Sequence, residues 1–174
     1  MQLKLNKMKN LIYIILLIII SAACTARYET GKEMADEVRY DIPQISVEEL
    51  KAKMLNDEEF HLLDVRQLSE YDNGFVNQNF DFNFYIQPIN VPRGILESRM
   101  SDEEFWIDFF EGMPHRDTSE IIVYCKSGSR SLLAAKTLIK LGYKNVKNLT
   151  GGYNAFNPNH EDQPAKKEES GCGG

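Results

Sequence analysis

The sequence predicts an α/β domain built on a mostly parallel sheet, and three observations point there. Short apolar runs alternate with amphipathic runs from Ile45 onward. The run Ile121-Ile122-Val123-Tyr124 is apolar without alternation and rich in β-branched residues, as in a strand buried on both faces. That strand passes through Cys125 to Arg130 into Leu132, Leu133, Ala135, Leu138, Ile139 and Leu141 at helical spacing, with Gly142 where a C-cap belongs.

The elements follow in order. Ser46 and Glu49 form a capping box ahead of the helical run "VEELKAKML". "HLLDV" reads as a strand, and "QLSEYDNG" as a short helical turn ended by Gly74. "INVP" is a strand stopped by Pro92. "SDEEFWIDFFEGM" is a helix, with Ser101 expected as N-cap and Phe105, Ile107, Phe109 and Phe110 expected on its apolar face. The strand and helix around Cys125 come next, then the strand "NVKNL" and a turn at Gly151-Gly152. The domain is expected to span residues 44–158, preceded by a polar tether over 24–43 and followed by a disordered tail over 159–174.

The N-terminus reads as a targeting segment over residues 1–23. Lys4, Lys7 and Lys9 precede the apolar run from Leu11 to Ile20, and Ser21, Ala22 and Ala23 follow. The apolar stretch is shorter than the roughly 17–25 residues of a membrane span. "SAAC" resembles a bacterial lipobox, departing from it at Ser21, where Leu or Val is usual. The expectation is an exported protein anchored to a membrane through lipid on Cys24. The chain has 174 residues, 43% of them hydrophobic, and a formal charge of −6, which excludes a basic nucleic-acid footprint.

The chemistry concentrates at "CKSGSRS". A thiol between a strand end and a helix start lies at the positive end of the helix dipole, among amides without helical partners. Both features favour an anionic sulfur. Amides of Lys126 to Arg130 can form an anion nest, Gly128 permits positive φ, and Ser127 and Ser129 leave room for an added sulfur atom. Lys126 and Arg130 supply positive charge for an anionic donor. The alternative, an inert buried thiol, explains neither the glycine nor the two cations. His61, His115 and His160 fit no metal or general-base spacing and are expected at the surface; no metal or cofactor is expected.

Three stretches resemble a single-domain rhodanese: "LLDVRQLSEYDNG", "CKSGSRS" and "NVKNLTGGYNAF". The resemblance implies a three-layer sandwich with helices on both faces of a central parallel sheet. It also implies a catalytic persulfide on Cys125, bound by the loop Lys126, Ser127, Gly128, Ser129 and Arg130. Asp64 and Arg66 are expected to support this site, Asp64 by accepting loop hydrogen bonds and Arg66 by pairing with Glu70 four residues on. Within this fold the Cys-x4-Arg loop length is that of sulfurtransferases, whereas related phosphatases and arsenate reductases carry one residue more. The presence of Cys125 speaks against a non-catalytic binding module.

The sequence departs from the family after Gly74, where His-Ile-Pro-Gly-Ala is usual. Phe75 and Val76 stand there instead, and an insertion over 77–88 alternates Phe80, Phe82 and Phe84 with Asp81 and Asn83, then Tyr85. A half-buried strand or flap is expected, either patching the sheet edge or walling the pocket. The expected function is transfer of sulfane sulfur from a donor such as thiosulfate to a thiol or cyanide. The alternative is a thiol-redox or persulfide relay acting on a protein partner. Cys172 is the possible second thiol of such a relay, on a tail reaching roughly 20–25 Å. The expected partners are a small sulfur compound or thiol acceptor and, through lipid, a membrane; the expected state is a monomer.

Overall fold

The computed structural model describes residue 13 and residues 28–78, 87–110 and 112–159. Cys24, Cys172 and most of the insertion lie outside them, as do the targeting segment over 1–23 apart from residue 13 and the tail beyond 159. Among the described residues, five strands form one parallel sheet in the order β1-β5-β4-β2-β3. They are β1 (Gln44–Ile45), β2 (His61–Asp64), β3 (Ile89–Asn90), β4 (Glu120–Tyr124) and β5 (Asn145–Leu149). The central strand β4 registers Tyr124 against Asp64 of β2 and Val123 against Asn148 of β5.

Strand side chains alternate between faces, and each face has its own core. Leu62, Ile122, Tyr124 and Leu149 pack with Leu50 and Met54 of α2 (Val47–Leu55), and with Tyr153 and Phe156 of α7 (Gly152–Phe156). Leu63, Ile121, Val123 and Val146 face the opposite way, towards Leu132, Ala135 and Leu138 of α6 (Ser129–Lys140). Helices therefore cover both faces, which satisfies a sheet that is apolar on both sides. The capping box is present: the Glu49 amide donates to Ser46 Oγ and the Ser46 amide to Glu49 Oε2. Gly142 adopts φ +98° just past α6.

The expected tether over 24–43 needs correction. Residues 31–38 form α1 (Gly31–Val38), a short 3-10 turn follows at Arg39–Asp41, and Ala35, Val38 and Ile42 are buried in the α6-side core. Only these three apolar residues turn inward from a polar run, too sparse a pattern to register as a helix face. The helix α5 (Glu103–Phe110) also differs in detail. Asp102, not Ser101, caps it, accepting from the Phe105 amide at 3.1 Å. Ser101 Oγ instead donates to the Glu97 carbonyl, closing the preceding α4 (Leu96–Arg99). Trp106 is fully buried, donating from Nε1 to the Arg99 carbonyl, whereas Ile107 is exposed. His61 is half-buried at the start of β2 rather than at the surface.

From β2 the chain moves outward to β3, and from β4 it moves the other way to β5. The order reverses between β2 and β4, so a crevice is expected beyond their C-terminal ends. Asp64, Arg66 and Cys125 all lie there.

Candidate active site

Cys125 follows the last residue of β4 and is 1% exposed. The chain must then turn at once into α6, and Gly128 makes the turn with φ +101°, a conformation that costs a side-chain-bearing residue. Ser129 and Arg130 already belong to α6, so the irregular loop is shorter than expected. The turn brings the Gly128 amide to 3.2 Å from Cys125 Sγ, as donor. Ser131 Oγ lies 3.5 Å from the same sulfur and 3.0 Å from the Gly128 carbonyl oxygen. Its single hydrogen can serve one of these acceptors at a time. The sulfur thus has an amide donor, a switchable hydroxyl donor and the N-terminus of a twelve-residue helix around it.

The Gly151-Gly152 turn braces the loop from behind. The Tyr153 amide donates to the Cys125 carbonyl at 2.8 Å and the Asn154 amide to the Lys126 carbonyl at 3.0 Å. Both glycines have positive φ, and a Cβ on Gly152 would sit 2.3 Å from the Cys125 carbonyl oxygen. Two backbones meet here at a spacing that only glycine allows.

Asp64 and Arg66 form a buried pair of their own. Arg66 Nε and Nη2 donate to the Asp64 carboxylate at 2.6–3.0 Å, the Arg66 amide adds a further bond at 2.9 Å, and Nη2 also reaches the Gly74 carbonyl. The guanidinium stacks 4.2 Å from the Tyr153 ring centre and 5.5 Å from that of Tyr124. Burial works against the Arg66 charge, but the Asp64 contacts outweigh it and raise its pKa. Burial, reinforced by the Asp64 charge, pushes the Tyr124 phenol well above its ordinary value, and its oxygen accepts from the Val76 amide. Asp64 therefore accepts from Arg66 rather than from the Cys125 loop. Arg66 does not pair with Glu70. Their support of the site is indirect, through Tyr153 and the backbone at Gly74.

Glu70, on the short helix α3 (Leu68–Asp72), pairs with Arg130 instead, across 60 residues of sequence. Its two carboxylate oxygens take Arg130 Nη1 at 2.6 Å and Nη2 at 2.7 Å. This pair holds the Glu70 carboxyl below its usual range and raises the Arg130 pKa. Lys126 and Ser129 are half-buried and Ser127 is exposed, all at the rim.

Three contributors escaped the sequence reading. Ser131 directly follows Arg130 and stands three residues after Gly128, so the helical period could have placed its hydroxyl beneath the loop. Glu70 carried a pairing signal, but the nearer arginine hid its distant partner. The close approach at Gly152 has no local signal beyond the double glycine.

Comparisons with known proteins point to one family. The family model described as "Rhodanese-like domain" matches residues 46–159. Arabidopsis thaliana thiosulfate sulfurtransferase 18 is 34% identical over 64% of this chain and 77% of its own length. A Bacillus subtilis relative named "Putative sulfur carrier protein" is 31% identical over 70% of this chain; the match spans only 55% of that relative. Among solved structures, a human single-domain sulfurtransferase superposes with a TM-score of 0.56 at 23% identity, covering 68% of this chain and 98% of the human one, a likeness of fold.

Proposed function

Since the chain belongs to the rhodanese-like domain family, we propose that it moves sulfane sulfur through a persulfide on Cys125. The observation that carries this reading is the convergence of the Gly128 amide and the Ser131 hydroxyl on Sγ at the start of α6. Donors aimed at a developing negative charge stabilise an anion without reorganising when it forms. In the first half-reaction the Cys125 thiolate attacks the outer sulfur of a donor such as thiosulfate. A bond forms between Sγ and that sulfur, the sulfur–sulfur bond of the donor breaks, and its electron pair leaves on sulfite. In the second, a thiol or cyanide attacks the outer sulfur of the Cys125 persulfide, and the thiolate is regenerated.

Incubation with thiosulfate followed by intact-mass measurement tests the reading. One sulfur should be gained at Cys125, and Cys125→Ser should gain none. An adduct that persists in the serine variant would remove Cys125 from the role of carrier. The name of the Bacillus subtilis relative favours a second reading, in which the persulfide passes to a protein partner. A stable persulfide with negligible cyanide turnover would select it, and Cys172 would be the first acceptor to examine by peptide mapping.

The proposed location is the cell envelope, on the sequence pattern ending at Cys24 alone. Cys24→Ser should leave the protein soluble or its leader uncleaved. A mature wild-type chain without lipid would overturn the anchor.

A further inference from the structure

Arg130 stands on the first turn of α6, two residues past Gly128, whose amide donates to Cys125 Sγ at 3.2 Å. A guanidinium there would ordinarily be the first receptor for an oxyanion donor, because its fork meets two oxygens at once. Yet both Nη atoms are already engaged by the two oxygens of Glu70, at 2.6 and 2.7 Å. Glu70 is fixed from its other side too, since Oε2 accepts from the Gln67 amide at 3.0 Å. Its carboxyl is held below the usual range, so near neutral pH the fork is occupied by an ionised internal ligand.

We infer that Glu70 is a specificity-determining residue: it occupies the Arg130 fork and steers sulfur loading away from doubly charged inorganic donors, towards persulfides of organic thiols. The inference deepens the persulfide reading and rests on it. A dianion such as thiosulfate must either displace Glu70 from Arg130 or bind beside a carboxylate, and each costs binding energy. An organic persulfide presents at most one charge near its outer sulfur, and its leaving sulfur is attached to carbon, so the reacting centre itself brings no oxyanion that must enter the fork. The atoms balance in the same way as before. Sγ bonds to the outer sulfur, the donor's sulfur–sulfur bond breaks, and the pair leaves on the inner sulfur as a thiolate; the proton of the original persulfide stays on the transferred sulfur, from which it can pass to the more basic released thiolate. The other charges near the mouth are Lys126 at the rim and the Asp64–Arg66 pair, which neutralises itself internally.

Loading of Cys125 by thiosulfate and by glutathione persulfide, followed by intact mass against donor concentration, tests this. Glu70→Gln removes the charge but keeps an oxygen for the Gln67 amide; Glu70→Ala removes the group. Both should lower the half-saturating concentration of thiosulfate, by roughly tenfold if one charge-assisted contact is freed. Loading by glutathione persulfide should change little. Glu70→Asp, which keeps the charge, should retain the wild-type preference. If wild type loads from both donors and the Gln and Ala variants leave the preference unchanged, Glu70 has no part in specificity and the persulfide reading still stands. If wild type loads from neither donor, both readings fall.

Discussion

Gly152 and Cys125 are in backbone contact: a Cβ on Gly152 would lie 2.3 Å from the Cys125 carbonyl oxygen and 3.0 Å from that of Lys126. Gly152→Ala must therefore push the catalytic loop out of place and also hold φ near +60°, itself a strain of roughly 1–3 kcal/mol. The expected outcome is a lower melting temperature and slower sulfur loading at Cys125. Gly94→Ala is the control, because a Cβ there meets nothing within 4 Å. Equal behaviour of the two variants would show that the loop tolerates movement.

Ser131→Ala removes the hydroxyl that lies between Cys125 Sγ and the Gly128 carbonyl. The Leu132 amide still serves that carbonyl, so the stability loss should stay near the roughly 0.5–1.5 kcal/mol of a single hydrogen bond. The persulfide should lose sulfur to small thiols faster, followed by mass spectrometry over time. An unchanged persulfide lifetime would make Ser131 a loop staple only.

Arg66→Ala would strand the buried Asp64 carboxylate, a change expected to cost about 3–5 kcal/mol. Arg66→Lys restores charge without the fork or the ring stacking and should recover only part of that loss. Urea denaturation checks both. A cost below about 1 kcal/mol for Arg66→Ala would mean that Asp64 finds another partner or water.

The Glu70–Arg130 pair gives stability a pH dependence of known sign. Arg130 lowers the folded pKa of Glu70 from its ordinary 4.5, so folding favours the ionised carboxylate. The contribution is fully present above that value and fades as pH falls through the lower, folded one. Both side chains are about one-third exposed, which limits it to about 1 kcal/mol or less. The stability advantage of wild type over Glu70→Gln should shrink on acidification from about pH 6 to about pH 3. An advantage that stays constant, measured by denaturation at each pH, would show that the carboxylate charge contributes nothing.

Local spacing established the α/β class, the order of α2, β2, β3, α5, β4, α6 and β5, and the place of Cys125 between β4 and α6, but not the short helices α4 and α7. These follow from local signals: uninterrupted β-branched runs, helical spacing, a capping box and glycines at forced turns. Each involves residues a few positions apart, so its physical cause lies within the sequence window that reveals it. Which charges meet followed from the folded chain. Arg66 turned back to Asp64 because strand β2 buries that carboxylate, and Glu70 was left to face Arg130, which parallel pairing of β2 with β4 had carried alongside. Long-range parallel pairing also brought the Gly151-Gly152 turn under Cys125, and docking on α6 drew residues 31–42 into the core. An ion pair or a backbone contact between distant segments depends on sheet order and register, and no local spacing encodes either.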